Sequence, residues 1–102
     1  PNSMADLVRM SPDVIAAMRM SVTKPTRENR VQWFLEGMIE HHGGALQMAH
    51  EARENSTNPT ILRLAREIIV AQRKEIIDLR KMLQSKGMNK PDYYKFDGLF
   101  AL

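Results

Sequence analysis

Cysteine is absent from this chain of 102 residues. Disulfide bonds and thiolate metal ligands are therefore excluded, and cysteine usage gives no indication of the redox compartment. No apolar run approaches the roughly 18 consecutive residues of a membrane-spanning helix. The opening letters PNSMADLV lack the charged start and apolar core of a signal peptide. Because the chain begins with Pro1, we expect it to be trimmed, and a removed export signal stays an open alternative.

Aromatic residues are few, with one tryptophan, two tyrosines and three phenylalanines, whereas methionine occurs eight times. Methionine is a flexible filler of helical cores, and composition alone favours this role. Its thioether is also a soft ligand for copper. In a chain without cysteine, any soft-metal site must use methionine or histidine.

The excess of positive charge is small, with a net charge of +3. Lysines and arginines between Arg63 and Lys86 alternate with Glu67, Glu75 and Asp78 along one predicted helix. A nucleic-acid surface needs clustered cations, and no aromatic residue is interleaved among these. The pattern predicts a solvated helix face and no nucleic-acid partner.

Helix signals divide the chain into three predicted helices and a tail. The letters SPD, a serine N-cap followed by proline, begin a short helix over 11–22. An apolar stripe at helical spacing predicts a long helix over 27–55, and the cap Asn58 begins another over 59–86. Residues 88–102 form an aromatic tail that we expect to pack on the bundle or on another chain. The sequence thus predicts one all-α domain over the whole chain.

The two long helices are nearly equal in length and are joined by only three to four residues. This connection predicts an antiparallel helical hairpin. In that register Ala49 faces Ala65 and Ala45 faces Ile69, so large and small apolar residues alternate along the seam. The short first helix leaves one side of the hairpin poorly covered. We therefore expect a homo-oligomer to complete the packing.

The same register places polar groups in the middle of the apolar seam. His42 faces Gln72, and Met38 lies near Glu75. Burying such groups costs several kcal/mol unless they are hydrogen-bonded to one another or bind a ligand. A hydrogen-bonded core network and a metal site are the two alternatives.

Met38 shares a helical turn with both histidines, His41 at i+3 and His42 at i+4. Either pair could share a metal ion. Met48 lies about 10 Å beyond His41 along the helix axis, so it joins only if the ion lies between them. A complete site needs a further donor, and the candidates are Met18, Met20, Glu75 and a second chain.

The donor types discriminate between metals. Thioether and imidazole ligands without cysteine suit copper, especially Cu(I), whereas zinc or iron would need more carboxylate. A di-iron bundle takes several inward glutamates from its helices. Here Glu36 and Glu40 point away from the stripe, and only Glu75 points near it. We expect no enzyme, and a zinc or iron enzyme using His41, His42 and Glu75 is the least favoured alternative.

Three glycines lie in the helix that carries these histidines. Gly43 and Gly44 cost about 1 kcal/mol each relative to alanine in a helix interior. Gly37 and Gly44 share one flank of the helix, where a neighbouring backbone could approach. The predicted role of the glycines is tight helix packing.

Two stretches, FLEGMIEHHGGALQMAHEA and LAREIIVAQRKEIIDLRKML, resemble the DUF305 family of small, mostly exported bacterial helical proteins with a ferritin-like bundle. The family pattern reads M-I-x-H-H-x-x-A-x-x-M-A and then A-x-x-I-I-x-x-Q-x-x-E-I-x-x-M, and the resemblance covers residues 34–83. The matching positions are Met38, Ile39, His41, His42, Ala45, Met48, Ala49, Ala65, Ile68, Ile69, Gln72, Glu75 and Ile76. At the last methionine of the pattern this chain has Leu79.

Some members of this family are implicated in copper binding and copper tolerance through methionine and histidine. The resemblance implies a ferritin-like, four-helix-bundle type of packing and a periplasmic or other extracytoplasmic location, while a cytoplasmic location stays open. The candidate copper ligands are Met38, His41, His42 and Met48. Gln72 and Glu75 are expected to lie behind the ligands and to hold them in place.

The predicted function is therefore Cu(I) binding for sequestration or tolerance, without catalysis, by a homo-oligomer that exchanges metal with copper-handling proteins. The alternative is a structural or interaction module that forms a homo-oligomeric bundle and in which the polar layer is a core network. Membrane insertion is not expected.

Overall fold

The structure is a computed structural model, and it describes residues 25–102. The predicted short helix over 11–22, with Met18 and Met20, lies outside the described residues. Two long helices dominate the described part, α1 (Arg30–Asn55) and α2 (Pro59–Ser85). They pack against each other as the predicted antiparallel hairpin. Two single-turn 3₁₀ helices follow, Pro91–Tyr94 and Asp97–Leu99.

The start of α1 is fixed by a reciprocal pair of hydrogen bonds. The Thr26 amide donates to the Asn29 side-chain oxygen at 2.7 Å, and the Asn29 amide donates to the Thr26 hydroxyl at 3.3 Å. These bonds hold residues 26–29 in a turn. The regular helix therefore begins at Arg30, three residues after the predicted start at 27.

The ends of α2 agree with the predicted signals to within one residue. The Asn58 side chain accepts hydrogen bonds from the amides of Thr60 and Ile61 at 2.9 and 3.4 Å, which confirms it as the N-cap. Beyond the C-terminus, Gly87 has a φ of 81°, the left-handed conformation that commonly follows a helix.

The core lies between the two helices and beneath the C-terminal residues. Ile39, Leu46, Ile69, Ile76 and Leu83 are fully buried in it. Tyr93 and Phe96 extend the same cluster from the tail.

Residues 88–102, named here the C-terminal clasp, pack on the hairpin, which confirms the first of the two predicted alternatives. Tyr93 and Phe96 are 3% and 1% exposed. The His50 ring donates to the Leu99 carbonyl at 2.7 Å, and Arg73 donates to the Phe100 carbonyl at 2.7 Å. The clasp is thus bonded to both helices.

Arg80 is a buried anchor for the clasp. Its guanidinium donates to the Tyr93 carbonyl at 3.4 Å, pairs with Asp97 and lies 4.4 Å from the centre of the Tyr94 ring. A planar guanidinium suits this combination of hydrogen bonding and stacking. The prediction of a solvated basic face is therefore wrong for Arg80, because the clasp covers it.

Two carboxylates of α1 also bind the clasp. Buried Glu40 forms an ion pair with Lys95 at 2.5 Å. Glu36 accepts a hydrogen bond from the Tyr93 hydroxyl at 2.6 Å and forms an ion pair with Lys90 at 3.1 Å. Both carboxylates therefore bind the clasp to α1.

Gly43 allows the clasp to approach α1 closely. A Cβ at this position would overlap three atoms of the Phe96 ring, whereas a Cβ at Gly37 would meet nothing within 4 Å. The neighbour at Gly43 is thus an aromatic side chain and not a helix backbone. The predicted close backbone approach is wrong at Gly37 in the described part of the chain.

Gly43→Ala should lower the stability of the protein, and Gly37→Ala should raise it. The first change forces the buried Phe96 ring to move, and overpacking of this kind costs about 1–3 kcal/mol. The second gains up to about 1 kcal/mol of helix propensity without any clash. Urea unfolding of both variants measures the two effects. Equal stabilisation by both would show that Phe96 does not pack at Gly43.

Opposing pKa shifts accompany the contact between Glu36 and Tyr93. Burial alone would raise the pKa of Glu36, but hydrogen bonds from Tyr93, Lys90 and Gln32 hold it below the ordinary 4.5. Burial and the hydrogen bond to Glu36 raise the pKa of the Tyr93 phenol above its ordinary 10.0. The contact therefore favours the ionised carboxylate and the neutral phenol.

This contact should give the unfolding free energy a dependence on pH. The Glu36 contribution is present above its unfolded pKa of 4.5 and is lost as pH falls through the lowered folded value. The Tyr93 contribution is present below its unfolded pKa of 10.0 and is lost as pH rises through the raised folded value. Tyr93→Phe should flatten both changes, measured by urea unfolding across pH. Tyr94→Phe is the control, since the Tyr94 hydroxyl bonds to the amide side chains of Asn89 and Gln84 and not to Glu36. An equal effect of both variants would contradict the account.

Candidate metal site

A pocket opens between the helices on the side away from the clasp. On α1, the pocket residues Phe34 and Met38 are each two positions from the clasp-binding Glu36 and Glu40. Positions two apart on a helix point in nearly opposite directions. The pocket has a volume of about 290 Å³ and is lined by Phe34, Met38, His42, Glu75, Asp78, Leu79 and Met82.

His42 is the buried polar group of this pocket, with an exposed fraction of 9%. Its Nδ1 lies 2.6 Å from the Met38 carbonyl oxygen. A carbonyl oxygen only accepts hydrogen bonds, so this geometry assigns a hydrogen to Nδ1. The hydrogen bond fixes the orientation of the ring.

The other ring nitrogen, Nε2, meets the Glu75 carboxylate in a short contact. An ionised carboxylate also only accepts, so the contact requires a proton or a cation between the two groups. A proton would make His42 an imidazolium paired with Glu75. Without that proton, Nε2 presents a lone pair, the form in which histidine binds metals.

Glu75 takes the place that the predicted register gave to Gln72. The His42 side chain leans toward the N-terminus of α1, and the Glu75 side chain leans toward the N-terminus of α2. In an antiparallel pair, these tilts bring together the ends of two side chains whose Cα atoms lie about one helical turn apart along the hairpin axis. Both nitrogens of His42 are occupied by Met38 and Glu75, so Gln72 holds neither of them. The supporting role of Gln72 stays a prediction.

Two methionines add sulfur to the pocket lining. Met38 is half-buried, and Met82 is 51% exposed at the mouth. Sequence reasoning did not select Met82. The signal was available, because Met82 follows Glu75 by seven residues and so lies two turns further along the same helix face.

The structure does not bring His41 and Met48 to this pocket. His41 is exposed. Met48 is 43% exposed and lines a separate apolar groove nearer the interhelical turn. Within one chain, Met38 and His42 share a pocket and the other two do not. Their roles as ligands stay predictions.

This apolar groove lies along the same seam of the hairpin and has a volume of about 300 Å³. Small residues of both helices form much of its floor. It is lined by Ala45, Met48, Ala49, Ala52, Ile61, Leu64, Ala65 and Ile68.

Histidine and carboxylate side chains alone do not assemble a metal site here. Within residues 25–102, no three or more His, Asp or Glu side chains are grouped so that they could hold a metal ion. His41, His42 and Glu75 therefore do not form the mononuclear zinc or iron group considered from the sequence. The pocket instead combines one imidazole, the carboxylates of Glu75 and Asp78, and two thioethers.

The described helices also bear on the membrane prediction. Neither α1 nor α2 combines the length and the hydropathy that crossing a bilayer requires.

The described residues define a small helical-hairpin protein with a pocket lined by histidine, carboxylate and methionine side chains. The chain belongs to the DUF305 family, a domain of unknown function, whose family model matches residues 9–94. This match confirms the resemblance found in the sequence.

The chain is also similar to an uncharacterized protein of Acanthamoeba polyphaga mimivirus, with 34% identity over 55 residues. The aligned part covers 54% of this chain and 36% of the viral protein, so the chain spans little more than a third of that relative. No solved structure matches the chain significantly.

Proposed function

We propose that the protein binds Cu(I) in the pocket of Met38, His42 and Glu75 and acts in copper sequestration or tolerance without catalysis. The observation that carries this proposal is the orientation of His42. Its Nδ1 is held by the Met38 carbonyl oxygen, and its Nε2 is aimed at a carboxylate that cannot donate a hydrogen bond.

The residues of the pocket fit a soft monovalent cation. The imidazole of His42 and the thioethers of Met38 and Met82 are donor types that suit Cu(I). The Met38 carbonyl also supports the site, because a hydrogen bond at Nδ1 orients the ring and leaves Nε2 to face the pocket. A copper ion held there would be stored or handed on.

His42 and Glu75 differ in their freedom to move. The His42 side chain is 10% exposed and the Glu75 side chain is 58% exposed. Glu75 can therefore swing toward solvent while His42 stays in place. Asp78 also lines the opening, and two carboxylates at the mouth attract a cation.

The family resemblance supports the wider setting of this proposal. Mostly exported relatives support a periplasmic or other extracytoplasmic location, where copper-handling proteins would supply or accept the ion. The ferritin-like packing of the family supports a bundle completed by further helices, with homo-oligomerisation as the source of those helices.

The second candidate function is a structural or interaction module that forms a homo-oligomeric bundle. The exposed apolar groove favours it, because large apolar patches on a protein surface mark interaction sites. In that case the contact between His42 and Glu75 is an imidazolium–carboxylate pair and binds no metal. Copper affinity distinguishes the two functions.

A competitive titration with Cu(I) against a chromophoric chelator tests the proposal on wild type, Met38→Leu and Met88→Leu. Met38→Leu keeps the backbone carbonyl and the side-chain volume but removes the thioether, so affinity should fall by at least about 10-fold. Met88→Leu, in the clasp, is the matched control and should bind as wild type does. Both substitutions should cost less than about 1.5 kcal/mol of stability.

Two histidine variants in the same titration complete the test. His42→Gln should abolish tight binding, because it removes the only imidazole that the structure places in the pocket. His41→Gln should leave the affinity unchanged if the pocket is the whole site. Equal affinity of wild type, Met38→Leu and His42→Gln would overturn the copper proposal in favour of the interaction module.

A further inference from the structure

We propose that Glu75 is a displaceable carboxylate, which closes the empty site and promotes release of Cu(I), and that it is not a ligand of the bound ion. This inference rests on the proposed function. It concerns the regulation of that site, because Glu75 and the ion compete for the same nitrogen of His42.

The competition is for the Nε2 atom of His42. The other ring nitrogen, Nδ1, is held by the Met38 carbonyl oxygen at 2.6 Å, so Nε2 is the atom through which the ring can bind an ion. In the structure Nε2 contacts the Glu75 carboxylate. The lone pair of a ring nitrogen binds a proton or a metal ion but not both. An ion that binds Nε2 therefore has to replace whatever this contact holds.

The chemistry of the ion decides whether Glu75 stays as a ligand. Carboxylate oxygens suit hard ions, whereas Cu(I) is a soft ion that selects thioethers and imidazole. Met38 and Met82 line the same pocket and supply two sulfur atoms beside Nε2. The ion takes the lone pair of Nε2, the proton of the contact leaves to solvent, and the carboxylate loses its partner.

The Glu75 side chain can leave the pocket once this contact ends. It is 58% exposed, against 10% for the His42 side chain. Within residues 25–102, His42 is its one hydrogen-bond partner. The positions one helical turn away on α2 offer no cation that would hold the carboxylate, since they are Ala71, Gln72, Asp78 and Leu79. Glu75 therefore turns to water when the ion binds.

This displacement lowers the apparent affinity of the site and assists release. A ligand that binds only molecules in which the contact is open has its affinity reduced by the fraction of such molecules. When the ion departs, the carboxylate returns to His42 and blocks rebinding. A closed empty site with assisted release suits a protein that hands copper on.

Asp78 provides a matched control within the same opening. It lines the pocket with Glu75, but its carboxylate pairs with Lys74 at 3.0 Å and not with His42. The Glu75 and Asp78 side chains are exposed to similar degrees, 58% and 45%. Replacing either residue with alanine removes one negative charge from the opening, so the general attraction for a cation falls in both variants. The difference between the variants isolates the contact with His42.

Equilibrium affinity is measured first, by competition for Cu(I) with a chromophoric chelator. Glu75→Ala should bind about 3- to 5-fold more tightly than Asp78→Ala, because the ion no longer has to break a partly exposed ion pair. Both variants should fold as wild type does, since alanine is the most favourable residue in a helix.

Release kinetics test the second part of the inference. Loaded protein is mixed with excess chelator in a stopped-flow instrument, and formation of the coloured complex is recorded. Glu75→Ala should release Cu(I) more slowly than wild type, because no carboxylate returns to Nε2, and Asp78→Ala should release it at the wild-type rate. Equal release rates for wild type and Glu75→Ala would overturn the role in release.

The outcomes separate this inference from the proposed function. Wild type that does not bind Cu(I) tightly overturns both. Binding by Glu75→Ala at least about 10-fold weaker than by Asp78→Ala makes Glu75 a ligand, which overturns the displacement and leaves the pocket proposal standing. Equal affinities of the two variants show that the contact does not compete with the ion, and this result also overturns the displacement alone.

Discussion

The packing of Phe96 against the backbone of α1 at Gly43 determines which face of this protein is closed. A hairpin of two helices has two long faces, and it cannot cover both by itself. The clasp covers one of them through a buried ring, the anchor Arg80 and the carboxylates of α1. Among residues 25–102, the opposite face, with the pocket and the groove, is the one that stays open to ligands and partners.

The position of His42 follows from the same constraint. Gly43 turns toward the clasp, so its neighbour His42 points into the seam on the other side, where α2 presents Glu75. A buried imidazole needs partners for both nitrogens, and the chain supplies a carbonyl for one and a carboxylate for the other. The second of these contacts needs a cation or a proton. Two thioethers line the same pocket. A soft cation such as Cu(I) would therefore meet this requirement.

Much of the hairpin could be predicted from local signals. Asn58 and the apolar stripes gave the ends of α2 to within one residue, because caps and periodicity act over a few residues. The contact of His42 with Glu75 could not be predicted from the register of the two helices alone, since it depends on the tilt of both side chains. The burial of Arg80 was also beyond sequence reasoning, because its partners come from a short segment without regular periodicity. The role of Gly43 could not be predicted for the same reason, because it depends on where Phe96 of the clasp lies.

The most direct test of the central claim is nitrogen-15 NMR of the histidine side chains during titration with Cu(I), which is diamagnetic. The chain has three histidines, His41, His42 and His50. The account predicts that the Nε2 resonance of His42 shifts and saturates at one equivalent, while His50, held by the Leu99 carbonyl, keeps its shift. An unchanged His42 resonance in the presence of bound copper would contradict the account.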